Sequence, residues 1–317
     1  MVTTSPARPS VSSVARSAAH TKSQSARSKS PKWFQLITSG LSRISPGLAA
    51  RLFAFFFTRP GRQKLPRHER DWLLQATATP LELASGEQVP LYEWRGTQPL
   101  SGVRDEAPLP TVLLVHGFGG RAGQMGGFAA PLVAAGYRVV AFDAPAHGGA
   151  AGSRSSLPEM LEVTQEVAAR LGPLAGVVAH SNGAAAVIAA LTKGMLADRV
   201  ALLAPMPDLE SFIRRLAAQL GFSPEVANRA QKRVEARYGM PFSALKASTL
   251  IRGLSLPTLI LHDSVDRTIP LTEVEELVRD WGVARLEVTD GLGHNRILRD
   301  EGVIAAVVDH LGPPTLR

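Results

Sequence analysis

The fold is decided by residues 176–186, which read Gly-Val-Val-Ala-His-Ser-Asn-Gly-Ala-Ala-Ala. Residues 177–179 are apolar, as expected at the end of a buried strand, and a run of small residues that is typical of a helix begins at Gly183. A serine in such a strand-to-helix turn has an exposed hydroxyl, and the next backbone N–H points at the group that this hydroxyl attacks. The stretch therefore predicts that Ser181 is a nucleophile. A helix N-cap, a position that serine also favours, is the alternative.

Strand-like and helix-like stretches alternate on both sides of this turn. A hairpin is predicted within residues 81–94, around Ser85-Gly86-Glu87, and the remaining elements follow in order. Strands are predicted at 111–116, 137–143, 199–204, 257–262 and 284–288, and helices at 122–135, 157–171, 271–281 and 301–311. This alternation predicts an α/β fold with a mostly parallel sheet that is covered by helices on both faces.

Residues 205–255 interrupt the alternation. Their apolar residues recur at helical spacing, and no clear strand is present. We expect a helical cap insertion over the carboxyl edge of the sheet, within a domain that spans residues 69–317.

The carboxyl ends of parallel strands meet at one edge of a sheet, where ligands bind. Residues 116–120, His-Gly-Phe-Gly-Gly, follow the strand at 111–116. Glycines let this backbone approach a ligand closely, so the N–H of Phe118, paired with that of Asn182, can form an oxyanion hole. A tight turn without catalytic function is the alternative for this loop.

An acid and a base follow later strands. His294 lies in the glycine-rich loop 291–295, and an imidazole can take a proton from serine and return it to a leaving group. Asp263 and Asp266 both follow the strand at 257–262, and Asp266 is favoured because it lies farther out on the loop. The order Ser181, Asp266, His294, each after a successive strand, predicts a catalytic triad.

These residues resemble the α/β-hydrolase superfamily over about residues 78–315. The matching motifs are His116-Gly-Phe-Gly-Gly, Asp143-Ala-Pro-Ala-His-Gly148, His180-Ser-Asn-Gly183, Asp266-Arg-Thr-Ile-Pro270 and Gly293-His294. The chain departs from the G-x-S-x-G pattern at Ala179, where the extra methyl should leave the turn intact.

The resemblance implies an eight-stranded, mostly parallel sheet and an acyl-transfer mechanism. Ser181 would attack a carbonyl, His294 would act as base and then acid, and Asp266 would fix the imidazole tautomer. The N–H groups of Phe118 and Asn182 would hold the oxyanion. No metal or organic cofactor is required by this scheme.

Charge is distributed unevenly along the chain. The net charge is +8, yet residues 1–68 hold twelve of the 35 Lys and Arg and no acidic residue, which leaves 23 basic against 27 acidic residues in the remainder. This balance argues against a globular domain that binds nucleic acid. Residues 1–32 are rich in Ser, Ala, Arg and Lys, which predicts a disordered basic tail or, alternatively, an organelle transit peptide. The absence of cysteine excludes a thiolate nucleophile and disulfides.

Residues 33–68 form an amphipathic, basic segment that is rich in aromatic residues. The apolar run 52–57 is far shorter than the ~20 residues that a membrane span needs. Two short helices that dock on the main domain or on a partner are one interpretation, and contact of residues 33–58 with a membrane surface is the other. We expect a cytoplasmic protein, with membrane association and organelle targeting as alternatives.

The sequence favours a serine hydrolase that cleaves a carboxylic ester or thioester of an apolar acyl group. A non-catalytic binding protein on the same scaffold and an acyltransferase that uses the same triad are the alternatives. The natural substrate, the acyl-chain length and the oligomeric state are left open.

Overall fold

The computed structural model describes residues 12–13, 31–62, 64–96 and 109–314. Within these residues, nine strands form one sheet. Their bounds are β1 Ser12–Ser13, β2 Thr77–Glu82, β3 Gln88–Trp94, β4 Thr111–Val115, β5 Arg138–Phe142, β6 Gly176–His180, β7 Val200–Leu203, β8 Thr258–Asp263 and β9 Ala284–Thr289. Apart from β1 and residues 31–32, the tail predicted over 1–32 lies outside the described residues.

The strand order is β1-β9-β8-β7-β6-β4-β5-β3-β2. Strands β4 to β9 run parallel, and the hairpin β2–β3 adds an antiparallel edge beside β5. The mostly parallel sheet of eight strands is thereby confirmed in β2 to β9. All residues of β4, β6, β7 and β8 are buried, which explains why these strands are continuous apolar runs in the sequence.

Helices cover both faces of the sheet. Their bounds are α1 Lys32–Ile44, α2 Pro46–Phe57, α3 Arg67–Leu73, α4 Ala122–Met125, α5 Ala129–Ala134, α6 Leu157–Leu171, α7 Asn182–Thr192, α8 Leu209–Gln219, α9 Pro224–Tyr238, α10 Ala247–Leu250, α11 Leu271–Trp281, α12 Gly293–Arg296 and α13 Glu301–Leu311. Side chains of β4 alternate between two cores: Leu113 and Val115 pack on one face, and Val112 and Leu114 on the other.

The continuous helix predicted over 122–135 is wrong. A 3₁₀ turn at Gly126–Phe128 separates α4 from α5. Trp72 of α3 lies against this turn, where a Cβ on Gly126 would come within 2.7 Å of the Trp72 Cβ. The glycine that admits Trp72 is a poor helix former, and the helix breaks at this contact.

The insertion predicted over residues 205–255 lies between β7 and β8. It contains α8, α9 and α10, and a 3₁₀ turn at Phe242–Leu245. Asp208 caps α8 by accepting hydrogen bonds from the backbone N–H groups of Glu210 and Ser211, and Ser223 caps α9. The insertion is thus built from separately capped helices that join the core through residues such as Ile213 and Phe242.

Helix α2 docks on this insertion through aromatic side chains. Phe53 is 1% exposed and lies 5.2 Å from the ring of Phe222, and Phe57 packs between Phe212 and Phe242. The core therefore extends across the boundary expected at residue 69.

Helix α1 docks through its polar side. Thr38 and Ser42 are buried, and the Thr38 hydroxyl donates to the Leu220 carbonyl at 2.6 Å. Gly221 adopts φ +81°, and a Cβ there would come within 2.8 Å of Thr38 Oγ1. The glycine is what lets α1 approach the turn between α8 and α9. Among the described residues, no helix combines the length and the apolar character that crossing a bilayer requires.

Candidate active site

The turn between β6 and α7 holds Ser181 in a backbone conformation that few non-glycine residues adopt, with φ +51° and ψ −119°. Ser181 occupies the N-cap position of α7, but its side chain makes no capping hydrogen bond. The Ser181 hydroxyl therefore does not cap α7, which was the alternative to a nucleophilic role. Strain of this kind is typical of serines that a strand-to-helix turn presents at a sheet edge.

Two glycines make the turn possible. A Cβ on Gly183 would lie 2.3 Å from the His116 carbonyl oxygen, and one on Gly117 would lie 2.9 Å from the Ser181 Cβ. Ala179 is completely buried in β6 without disturbing the turn. The close approach therefore depends on Gly183 and Gly117.

The structure joins Ser181, His294 and Asp266 in one chain of hydrogen bonds. Ser181 Oγ lies 3.0 Å from His294 Nε2, and His294 Nδ1 lies 2.7 Å from Asp266 Oδ2. Because the carboxylate can only accept, Nδ1 carries the proton and Nε2 is left to accept from the serine hydroxyl. The three residues come from the ends of β6 and β8 and the loop after β9, at the carboxyl edge of the sheet.

The Asp266 carboxylate is held in its charged form. Burial alone would raise its pKa, but the hydrogen bond from His294 and the N–H groups of Thr268 and Ile269 bring the pKa below its ordinary value. Asp263, the competing candidate, accepts instead from the Thr289 hydroxyl at 2.8 Å and from a backbone N–H of the His294 loop. Asp266 orients the imidazole, and Asp263 braces the loop that carries it.

Two backbone donors are unused beside the serine. Within the described residues, neither the N–H of Phe118 nor that of Asn182 donates a hydrogen bond. The loop that carries Phe118 is pressed against the turn through Gly117, as described above. Both of the donors expected to form an oxyanion hole are therefore available to a bound group.

The sequence pattern of the family described as Alpha/beta hydrolase family matches residues 112–306, which is more than half of the chain. The matched region contains Ser181, Asp266 and His294 as well as the two candidate oxyanion-hole residues, Phe118 and Asn182. The chain belongs to the alpha/beta hydrolase family. The class of enzyme expected from the sequence, a hydrolase, is confirmed by this match. No curated protein sequence matches the chain directly.

Solved structures share this alpha/beta hydrolase fold at low sequence identity. The esterase Pf2001 of Pyrococcus furiosus is 19% identical with a TM-score of 0.59, over 80% of this chain and 95% of the esterase. A thioesterase domain from the curacin biosynthetic pathway is 18% identical with a TM-score of 0.53, over 74% of this chain and 98% of that domain. A membrane phospholipase A, described as a bacterial virulence factor, is 17% identical with a TM-score of 0.55, over 88% of this chain and 96% of the phospholipase.

His180 contacts the candidate site of this alpha/beta hydrolase, and the sequence reasoning assigned it no role. Its Nε2 donates to the main-chain oxygen of His294 at 2.9 Å, and the two rings lie 4.8 Å apart. Burial and then the neighbouring His294 lower the pKa of His180 to about 3, so it is neutral and keeps its Nε2 proton. His180 thus ties the turn that holds Ser181 to the main chain of His294. Its position next to Ser181 was the only signal in the sequence.

The loop residues of the Asp143-Ala-Pro-Ala-His-Gly148 motif are structural. Asp143 accepts from the N–H of Ala122 at 2.7 Å and of Gly149 at 2.8 Å, while His116 accepts from the Ala144 N–H at 3.0 Å. His147 hydrogen-bonds the Pro145 carbonyl. These contacts fix the loops on which the alpha/beta hydrolase carries its candidate oxyanion hole.

Proposed function

We propose that this chain is a serine hydrolase that cleaves a carboxylic ester or thioester through an acyl-enzyme. The observation that carries the proposal is the unbroken hydrogen-bond chain from Ser181 through His294 to Asp266, with the serine on a strained turn rather than in a capping role. Nucleophilic catalysis by serine requires a charged carboxylate, a single imidazole tautomer and a serine hydroxyl that donates to the imidazole.

In the proposed reaction, Ser181 Oγ attacks the substrate carbonyl and its proton passes to His294 Nε2. The imidazolium that forms is stabilised by the Asp266 carboxylate, and the N–H groups of Phe118 and Asn182 hold the oxyanion. His294 then returns the proton to the leaving alkoxide or thiolate. A water attacks the acyl-enzyme by the same steps and releases the acid.

The acyl group is proposed to be apolar, with its choice set by the cap insertion. The insertion lies directly after β7, and its first residues, Met206 and Pro207, are buried. The Met206 N–H lies 3.4 Å from the Ser181 carbonyl oxygen, so the entry to the insertion is fixed at the serine itself. The structural neighbours named above, an esterase, a thioesterase domain and a phospholipase, fall in the same reaction class.

Labelling with a serine-directed fluorophosphonate tests this proposal. The wild-type chain should be labelled, Ser181→Ala should not, and Ser264→Ala, an exposed loop serine, should label like the wild type. Circular dichroism melts of the variants would show that each is folded. Labelling that persists in Ser181→Ala would refute Ser181 as the nucleophile, and no labelling of the wild type would favour the non-catalytic alternative.

Hydrolysis of nitrophenyl esters from acetyl to dodecanoyl, beside the matching acyl thioesters, would define the leaving group and chain length. We expect longer apolar acyl groups to raise kcat/KM. An acyl-enzyme that decays faster with an added alcohol or thiol than with water would instead indicate the acyltransferase.

A second proposal, carried by a different observation, is that residues 33–58 contact a membrane surface. Helix α1 is amphipathic, but its polar face is buried and its apolar face is exposed. Trp33, Leu36, Ile37 and Ile44 recur at helical spacing and are 63%, 74%, 60% and 86% exposed. An apolar stripe of this kind on a basic segment fits an interfacial helix, which buries that face among lipid chains.

Sedimentation with phospholipid vesicles tests this second proposal. The double variant Leu36→Asp/Ile44→Asp should lose vesicle binding. Leu196→Asp/Val283→Asp alters two apolar residues that are 63% and 51% exposed elsewhere on the chain, and it should bind like the wild type. Equal binding by both double variants would exclude α1 as the contact.

A further inference from the structure

Five arginines from three parts of the chain converge on a groove between α2 and α9. The groove has a volume of about 570 Å³. Its lining, here called the arginine groove, consists of Arg51, Ala54, Phe55, Thr58, Arg59, Arg154, Arg233, Val234, Ala236 and Arg237. Half of these residues are cationic and none is acidic.

The charge of the groove is uncompensated. Among the described residues, no ion pair involves any of the five arginines, although Arg229 on the same helix α9 pairs with Glu225 at 2.6 Å. Desolvation and then the charges of Arg154 and Arg237 lower the pKa of the Arg59 guanidinium. Arg233 and Arg237 lie four residues apart on α9, a spacing at which like charges oppose helix stability. A bound anion would relieve this repulsion.

The guanidinium groups favour a phosphate. Arginine presents a planar fork of N–H donors that matches phosphate oxygens, and several such forks around one space suit a phosphate better than a single carboxylate. Arg59 lies over the face of Phe55, 3.5 Å from the ring centroid, which holds its fork on the rim of the groove.

The wall formed by α2 also carries apolar side chains, and these continue outside the groove. Leu48, Arg51 and Phe55 are spaced i, i+3 and i+7 on one face of α2, and Leu48 and Phe55 are 54% and 45% exposed. Phe56, 53% exposed, packs edge-on against Phe55. A free phosphate or a nucleic acid would use the arginines and leave these side chains in water, whereas the surface of a bilayer accommodates both.

We propose that the arginine groove binds the phosphate of an anionic phospholipid in a membrane surface, with Phe55, Phe56 and Leu48 inserted among the lipid chains beside it. The inference rests on the membrane contact proposed above for residues 33–58, and it adds the ligand and the residues that recognise it. Charge recognition is shared between Arg51 and Arg59 of the N-terminal segment and three arginines outside it, Arg154, Arg233 and Arg237.

Vesicle sedimentation of the full chain tests the inference. Vesicles of phosphatidylcholine alone are compared with vesicles that also contain phosphatidylglycerol. The groove variant is Arg154→Gln/Arg233→Gln/Arg237→Gln. The control, Arg214→Gln/Arg229→Gln/Lys232→Gln, removes the same net charge from α8 and α9 without altering the groove lining.

Phosphatidylglycerol should strengthen vesicle binding by the wild-type chain. The groove variant should bind these vesicles with an affinity lower by on the order of a hundredfold, since each arginine at an anionic surface raises the affinity roughly fivefold. The control should change only a few-fold. Hydrolysis of a short water-soluble ester should be the same in all three proteins, so this readout judges the hydrolase proposal separately.

Three results would overturn the inference. Equal losses in the two triple variants would mean general electrostatic attraction without a site. Equal wild-type binding to both kinds of vesicle would leave the membrane contact of α1 standing and remove the anion site. A thermal shift produced by inorganic phosphate or glycerol phosphate, dependent on the groove arginines but without a vesicle preference, would reassign the groove to a free phosphate compound.

Discussion

Acidification should destabilise this protein, because burial lowers the pKa of four buried histidines, one of which is His262. His116, His147 and His180 are 1%, 1% and 3% exposed. Burial, as the largest cause, lowers their pKa values to about 4, about 3 and about 3. In the unfolded chain each has a pKa near ~6.5. Between the folded and unfolded pKa values, the unfolded state therefore binds protons that the folded state does not bind.

The sign and size of the effect follow from linkage. The folded pKa values are depressed, so the stability is fully present above about pH 6.5 and is lost as the pH falls toward about 4. Between about pH 7 and 5.5 each histidine should cost about 1.3 kcal/mol, or about 4 kcal/mol for the three. That loss is a large part of the roughly 5–15 kcal/mol by which a domain is stable. Carboxyl groups ordinarily titrate near ~4, below this window.

Urea unfolding followed by tryptophan fluorescence, at steps between about pH 7 and 5.5, measures the loss. His147→Gln should reduce the slope of unfolding free energy against pH by less than about a third, since one titrating group is removed and buried His262 adds to the slope beside the other two. An amide at position 147 can still donate to the Pro145 carbonyl. A free energy that is flat over this range, or a His147→Gln slope equal to that of the wild type, would refute the reasoning.

Further predictions concern the candidate site. Asp266→Asn should lower kcat by about 10⁴, because the amide no longer fixes the Nδ1 tautomer of His294. Asp263→Asn should instead mainly lower the unfolding free energy, by about 1–3 kcal/mol. Similar kcat values for the two folded variants in an ester assay would contradict this assignment. Gly183→Ala should prevent folding or shift the turn, since its Cβ would meet two backbone carbonyl oxygens at 2.3 and 2.8 Å. Ala179→Gly should lower the unfolding free energy by only about 0.5–1 kcal/mol. Equal losses of melting temperature in the two variants would contradict the steric argument.

Elements whose register depends on local sequence were predicted closely. The helices at 157–171, 271–281 and 301–311 have the bounds expected from their spacing. Here the hydrophobic period, which is local, decides the structure. The break at Gly126 was missed because it depends on Trp72, more than fifty residues away, and no local pattern records that contact.

The candidate site shows the same division between local and distant causes. The order of strands brings Ser181, Asp266 and His294 to one sheet edge, so topology alone made them candidates. The choice of Asp266 over Asp263 needed only its position on the loop, and the structure places its carboxylate on the imidazole. His180 could not be found in this way, because its partner is a main-chain oxygen, and every residue has one.

Helix α1 shows what amphipathicity leaves undetermined. The spacing of Trp33, Leu36, Ile37 and Ile44 defines an apolar face, and the usual inference would place that face inward. The hydroxyls of Thr38 and Ser42 hold the opposite face against the body instead, and the first of them bonds the Leu220 carbonyl at the end of α8. Docking and an exposed apolar surface are therefore compatible, because they use different faces of one segment. The two interpretations of residues 33–58 are thus not rivals: docking of α1 through Thr38 and Ser42 leaves exposed the apolar face for which a membrane surface is the proposed partner.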